Sequence, residues 1–83
     1  LKPTNLREVI DNSLKIVEGQ AAEQDIKISL TEHEEDSKIF ADAEILRSVF
    51  NNLFINAVQA MPNGGNLQVN ILPTENVVEV VVK

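Results

Sequence analysis

Residues 42–65 read Asp-Ala-Glu-Ile-Leu-Arg-Ser-Val-Phe-Asn-Asn-Leu-Phe-Ile-Asn-Ala-Val-Gln-Ala-Met-Pro-Asn-Gly-Gly. Asp42 is a helix cap and Pro62-Asn63-Gly64-Gly65 is a stop, so the stretch predicts a helix from about Ala43 to Met61. Apolar residues at Leu46, Val49, Phe50, Leu53, Ala57 and Ala60 form the stripe expected to face a core. Asn52 and Asn56 stand four residues apart, on one side of the helix. They fall toward one edge of that stripe, between core and solvent, and Ser48 and Gln59 continue the polar edge.

Asparagine is a poor helix former, costing up to about 0.7 kcal/mol relative to alanine. Three of them, Asn51, Asn52 and Asn56, therefore call for a return. A carboxamide oxygen is a hard, neutral ligand suited to Mg²⁺, which keeps several waters and takes one or two protein ligands beside substrate phosphates. An asparagine pair with no carboxylate close by in the helix suits a metal already neutralised by phosphate. The plainer alternative is that these side chains bond to neighbouring backbone. The helix pattern alone leaves both open.

Upstream, Asn5 and Glu8 have capping-box spacing, and Leu6, Val9, Ile10, Leu14, Val17 and Ala21 repeat with helical period. A first helix is expected from about residue 6 to 23, preceded by an extended Leu1 to Asn5 too short to be convincing as a strand. Ile26, Ile28 and Leu30 alternate with Lys27 and Ser29, the mark of a half-buried strand. Lys38 to Ala41 reads as a second short strand, and the charged run Glu32 to Asp36 between them as a solvated hairpin loop. Downstream, Leu67, Val69 and Ile71 alternate in a third strand. Thr74 to Asn76 reads as a turn, and Val77 to Val82, apolar except for Glu79, as a fourth strand that can be buried on both faces. The order α, β, β, α, β, β predicts an α/β (α+β) two-layer sandwich, with both helices on one face of a mainly antiparallel sheet.

The whole chain is 83 residues with net charge −6, from 13 acidic and 7 basic residues. One small domain, residues 1–83, is the most this length allows. The acidic balance disfavours nucleic acid and anionic membrane surfaces. The absence of cysteine removes disulfides, thiolate zinc sites and cysteine nucleophiles. No apolar run approaches the roughly 20 residues that span a bilayer. The chain begins at Leu1 rather than Met, so a piece of a longer protein is expected.

Asp42 to Gly65 resembles the N-box of sensor histidine kinases, above all those of the nitrogen-regulatory type, with Asn56-Ala57-Val58-Gln59-Ala60-Met61 followed by Gly64-Gly65. These kinases belong to the ATPase superfamily of DNA gyrase, the ninety-kilodalton heat-shock chaperone and MutL, with its Bergerat-type fold. Leu6-Arg7-Glu8-Val9-Ile10, Ile26 to Leu30 and Phe40-Ala41-Asp42 follow the family in order and spacing, so the likeness covers nearly the whole chain. It implies that ATP·Mg²⁺ binds against this helix. Asn56 would coordinate Mg²⁺, Asn52 would line the phosphate and metal site, and Gln59 and Ala60 would lie beside the nucleotide. The γ-phosphoryl would pass to a histidine on a separate helical dimerisation domain of the parent kinase, and then to a response regulator. Hydrolysing relatives place a glutamate where Asn52 stands. Asparagine cannot act as a general base, so Asn52 favours transfer to histidine over hydrolysis. The resemblance also implies a cytoplasmic domain, with the parent protein membrane-anchored in many cases.

The family's next motif, Asp-x-Gly-x-Gly, does not occur in the chain. The expectation is therefore an N-terminal portion of a catalytic domain that supplies one wall of the ATP site and is inactive alone. Val77 to Val82 is then expected as an exposed edge or face prone to self-association. The alternative is a degenerate ATPase-fold or ferredoxin-like interaction module that binds no nucleotide. Gly64-Gly65 is explained by a turn and His33 by a solvated loop. The three phenylalanines, Phe40, Phe50 and Phe54, are assigned to core positions or their flanks.

Overall fold

The computed structural model describes residues 2–32, 38–72 and 77–83. Their elements are β1 (Lys2–Asn5), α1 (Leu6–Glu23), β2 (Ile26–Glu32), β3 (Lys38–Ala41), α2 (Ala43–Gln59), β4 (Gly65–Leu72) and β5 (Val77–Val82). Both helices start where the cap residues put them. The Glu8 N–H donates to Asn5 Oδ1 at 3.2 Å. The Glu44 and Ile45 N–H groups donate to Asp42 Oδ1 at 3.0 and 3.3 Å, satisfying donors that a helix start leaves unpaired.

The strands form two sheets, β1-β3 and β2-β4-β5. The expected hairpin between Ile26–Leu30 and Lys38–Ala41 is not made. β3 pairs antiparallel with β1, a stretch expected only to be extended, and β2 pairs parallel with β4. Burial explains the choice. The parallel register sets Ile28 against Leu67 and Leu30 against Val69, so the apolar alternation of both strands falls on one face. Thr4, buried, donates its hydroxyl to Ala41 O at 3.2 Å, tying β1 to the last residue of β3. Of the charged run, Glu32 belongs to β2. Residues 33–36, His33 among them, and the expected turn at Thr74–Asn76 lie outside the described residues. A first strand now exists, as a ferredoxin-like order would need, but the strands divide into two sheets with a parallel β2–β4 pair.

The core lies between the helices and the sheet β2-β4-β5. From α1 come Leu6, Val9, Ile10, Leu14, Val17 and Ala21, every residue of the expected stripe. β4 contributes Leu67, Val69 and Ile71, each at most 1% exposed. α2 departs from expectation. It buries Phe50, Phe54, Ala57 and Val58, with Met61 just beyond, whereas Val49 is 53% and Leu53 40% exposed and Ala60 is also exposed. Leu46 is only partly buried. The helix is turned by roughly 70° from the expected orientation at 3.6 residues per turn. Phe50 and Phe54, with ring centroids 5.8 Å apart, bury more apolar area than Val49 and Leu53 would. Phe40 is 74% exposed and is not a core residue.

The glycine pair earns its place through the turn. Gly64 takes φ +99° and Gly65 φ +152°, and a Cβ on Gly65 would lie 2.5 Å from Lys83 O and 2.6 Å from Met61 Sδ. Gly65→Ala should lower stability by about 1–3 kcal/mol, read as a shifted urea midpoint. An unchanged midpoint would mean that β4 starts elsewhere. Among the described residues, no helix is long and apolar enough to cross a membrane.

Candidate functional site

Asn52, Asn56, Gln59 and Ala60 are all exposed. Their spacing of four, seven and eight residues puts them on one face of α2. Because the helix is turned, Asn52 and Asn56 stand near the middle of its exposed side, opposite Phe50, Phe54 and Ala57, and not at the margin of the core. Ile45, Val49 and Leu53, 62%, 53% and 40% exposed, run beside them at four-residue intervals. The exposed face is thus half amide and half apolar. Sequence reading assigned Val49 and Leu53 to the core and so missed the apolar half. The signal was present: α2 is apolar around most of its circumference, so two stripes compete for burial.

Two contacts hold this face in place. Asp42 fixes the start of α2. At the other end, Gln24 Nε2 donates to Val58 O at 2.9 Å and to Met61 O at 3.0 Å, a second bond to carbonyls that already accept from the Met61 and Gly64 N–H groups. Gln24 follows α1 directly, so α1 and α2 are fastened beside the turn that carries Asn56 and Gln59. Nothing in the sequence pattern singled out Gln24. Among the described residues, the side chains bonding to α2 backbone are those of Gln24 and Asp42, not those of Asn52 or Asn56. The plainer account of the asparagines, bonding to neighbouring backbone, therefore does not apply to this pair. Asn51 differs: its Oδ1 is buried and unpartnered.

The donor set defines what cation the face could hold. No group of three or more His, Asp or Glu residues that could hold a metal occurs among the described residues. Neutral amides alone bind a bare divalent ion weakly. They fit a Mg²⁺ whose charge is met by phosphate oxygens and whose shell is otherwise water. Arg47, the single basic residue of α2, lies more than a turn before Asn52 and helps line a separate cleft with Lys2, Asp42 and Glu44. Another cleft, lined by Asp11, Lys15, Glu18 and Ile28, lies between α1 and β2. Neither of these two clefts includes Asn52 or Asn56.

No protein-family profile matches the chain. Among curated proteins it is 40% identical over 80 residues to Sporulation kinase A of Bacillus subtilis, covering 95% of this chain and 13% of that protein. It is 33% identical over 69 residues to Sensor histidine kinase ZraS of Salmonella typhimurium, covering 83% and 15%. The chain thus spans only a small part of these relatives' length. Among solved structures, the catalytic domain of histidine kinase ThkA superposes with a TM-score of 0.79 at 25% identity, over 83% of this chain and 47% of that one. A mycobacterial sensor histidine kinase, MprB, superposes with a TM-score of 0.74 at 28% identity, over 86% and 44%.

Proposed function

The chain belongs with the catalytic, ATP-binding domains of sensor histidine kinases, and from that premise we propose that the exposed face of α2 is one wall of an ATP·Mg²⁺ site. Asn56 supplies an amide oxygen to Mg²⁺. Asn52, one turn earlier, faces the phosphates and their water shell. Gln59 and Ala60 lie beside the nucleotide. Mg²⁺, when bound, offsets the phosphate charge that this acidic chain would otherwise repel. The observation that carries the reading is the position of Asn52 and Asn56: central on an exposed helix face, without backbone bonds to account for them.

In this reading the wall positions and neutralises, which is most of what phosphoryl transfer requires. The acceptor is a histidine on the kinase's helical dimerisation domain, and a response regulator receives the group from there. Asn52 accepts no proton, so a water molecule is not activated at this point of the wall. The parent kinase then presents this domain to the cytoplasm. The 83-residue chain alone is one side of the site and transfers nothing.

Weak binding is therefore expected of the chain itself, and residue-resolved NMR suits it. Titration with a non-hydrolysable ATP analogue and Mg²⁺ should shift the amides of residues 52, 56, 59 and 60 most. Trace Mn²⁺ added with the analogue should broaden the Asn56 side-chain amide first. Largest shifts at Lys2 and Arg47 instead would overturn the proposal. A folded chain showing no shift on α2 would favour an interaction module, for which the exposed Ile45, Val49 and Leu53 would be the contact.

A further inference from the structure

Gln20, near the end of α1, and Gln24, just beyond it, are four residues apart and so lie on one side of that helix. Gln20 Nε2 donates to Gln24 Oε1 at 2.9 Å. The Gln24 Nε2 group carries two hydrogens, and it donates to two carbonyls at the end of α2, Val58 O and Met61 O. Both ends of the Gln24 amide are thus engaged. Its backbone is held as well, the N–H donating to Gln20 O and Ala21 O at 3.1 and 3.2 Å. Asp25 continues the joint. It takes φ +58°, and its carbonyl accepts from the Gly65 N–H at 3.4 Å. Residues 24 and 25 therefore grip the segment 58–65 at three points.

Val58 O and Met61 O already accept from the N–H groups of Met61 and Gly64, so the end of α2 is satisfied without Gln24. What Gln24 adds is direction. Val58 is buried and stands about 200° round the helix from Asn56, so the amide holds the last turn from behind the exposed face. Asn56 belongs to that same turn, its carbonyl accepting from the Ala60 N–H at 3.0 Å. Its side chain is exposed, so the backbone of this turn is what places its amide.

We infer, on the reading of α2 as one wall of an ATP·Mg²⁺ site, that Gln24 is a positioning residue for the metal: the chain Gln20–Gln24–Val58/Met61 fixes the last turn of α2 against α1 and so fixes where the Asn56 oxygen stands. Gln24 touches neither metal nor nucleotide and acts through Asn56 alone. Supports of this kind behind a metal ligand are worth about tenfold or more in metal affinity. Their signature is coupling: once the ligand is gone, losing the support costs nothing further.

Gln24→Met tests this, since methionine has nearly the same length and no charge but cannot donate to a carbonyl. Binding of a non-hydrolysable ATP analogue to the 83-residue chain is followed by NMR titration, with Mg²⁺ and again with EDTA. Gln24→Met should weaken binding with Mg²⁺ by about tenfold and leave binding in EDTA at the wild-type level. In an Asn56→Ala background it should cost less than about twofold. Should Gln24→Met fail to fold, Gln20→Ala releases the Gln24 amide without touching α2, and should give a smaller loss with the same pattern. Equal losses with and without Mg²⁺, or in both backgrounds, would mean a support of the fold only and would overturn the inference. Wild-type binding by Asn56→Ala would overturn the reading of α2 and this inference with it. A strong Asn56→Ala effect beside a neutral Gln24→Met would overturn this inference alone.

Discussion

Replacing Asn56 with alanine should weaken binding of the Mg²⁺–nucleotide complex by about 100-fold, roughly 2.7 kcal/mol, while leaving the protein slightly more stable. The two halves of this expectation have separate causes. Asn56 is exposed and makes no contact that the fold needs, and alanine is the better helix former by up to about 0.7 kcal/mol. A residue kept for packing would show the reverse. The binding loss comes from removing an oxygen ligand to the metal, so it should vanish when the titration is run with EDTA in place of Mg²⁺. Asn52→Ala should show the same gain in stability with a smaller loss in affinity. Calorimetric titration beside thermal unfolding reads both quantities. Unchanged affinity in Asn56→Ala, or a loss matched by a drop in melting temperature, would defeat the proposed role.

Phe54→Ala should have the largest effect on the fold. Phe54 is 0% exposed, and its ring stacks on Phe50 with an interplanar angle of 19°. Truncating a phenylalanine in such a place costs about 3–5 kcal/mol. A domain of this size has little more than that to lose, so cooperative urea unfolding should be nearly abolished at room temperature. Leu53→Ala, one residue earlier on the exposed side, should cost only about 1 kcal/mol, since 40% of its area is in water already. The pair measures the rotation of α2 directly. Were Leu53→Ala the more damaging, the helix would be packed as its sequence pattern suggests, and Asn52 and Asn56 would return to the margin of the core.

That rotation marks where sequence reading reaches its limit. The stripe of α1 was fully legible because polar residues fill the rest of its circumference, leaving a single way to pack. α2 offers apolar residues on nearly every side, and periodicity cannot rank Val49 and Leu53 against Phe54 and Val58. The volume of two aromatic rings decides it, and volume is not periodic. Strands β2 to β5 were found within two residues of their bounds, since alternation and turns are local signals. Their pairing was not found. Adjacent strands joined by a short charged run suggest a hairpin, and only the shared apolar face of β2 and β4 overrules that. β1 escaped notice because four residues carry too little pattern. The asparagine column was visible from spacing, and its meaning came from resemblance. Gln24, which holds the end of α2, gave no signal at all.

The parallel pairing of β2 with β4 also bears on how the protein comes into being. A chain emerging from the ribosome completes β2 at Glu32, and the strand it needs does not begin until Gly65. At about 5–20 residues per second, the intervening stretch takes roughly 2–7 s to make. Over that interval Ile26, Ile28 and Leu30 have α1 beside them and no neighbour in the sheet. β4 closes onto a strand made well before it, with β3 and α2 made in between. This sheet therefore waits on β4, rather than growing strand by strand from β2.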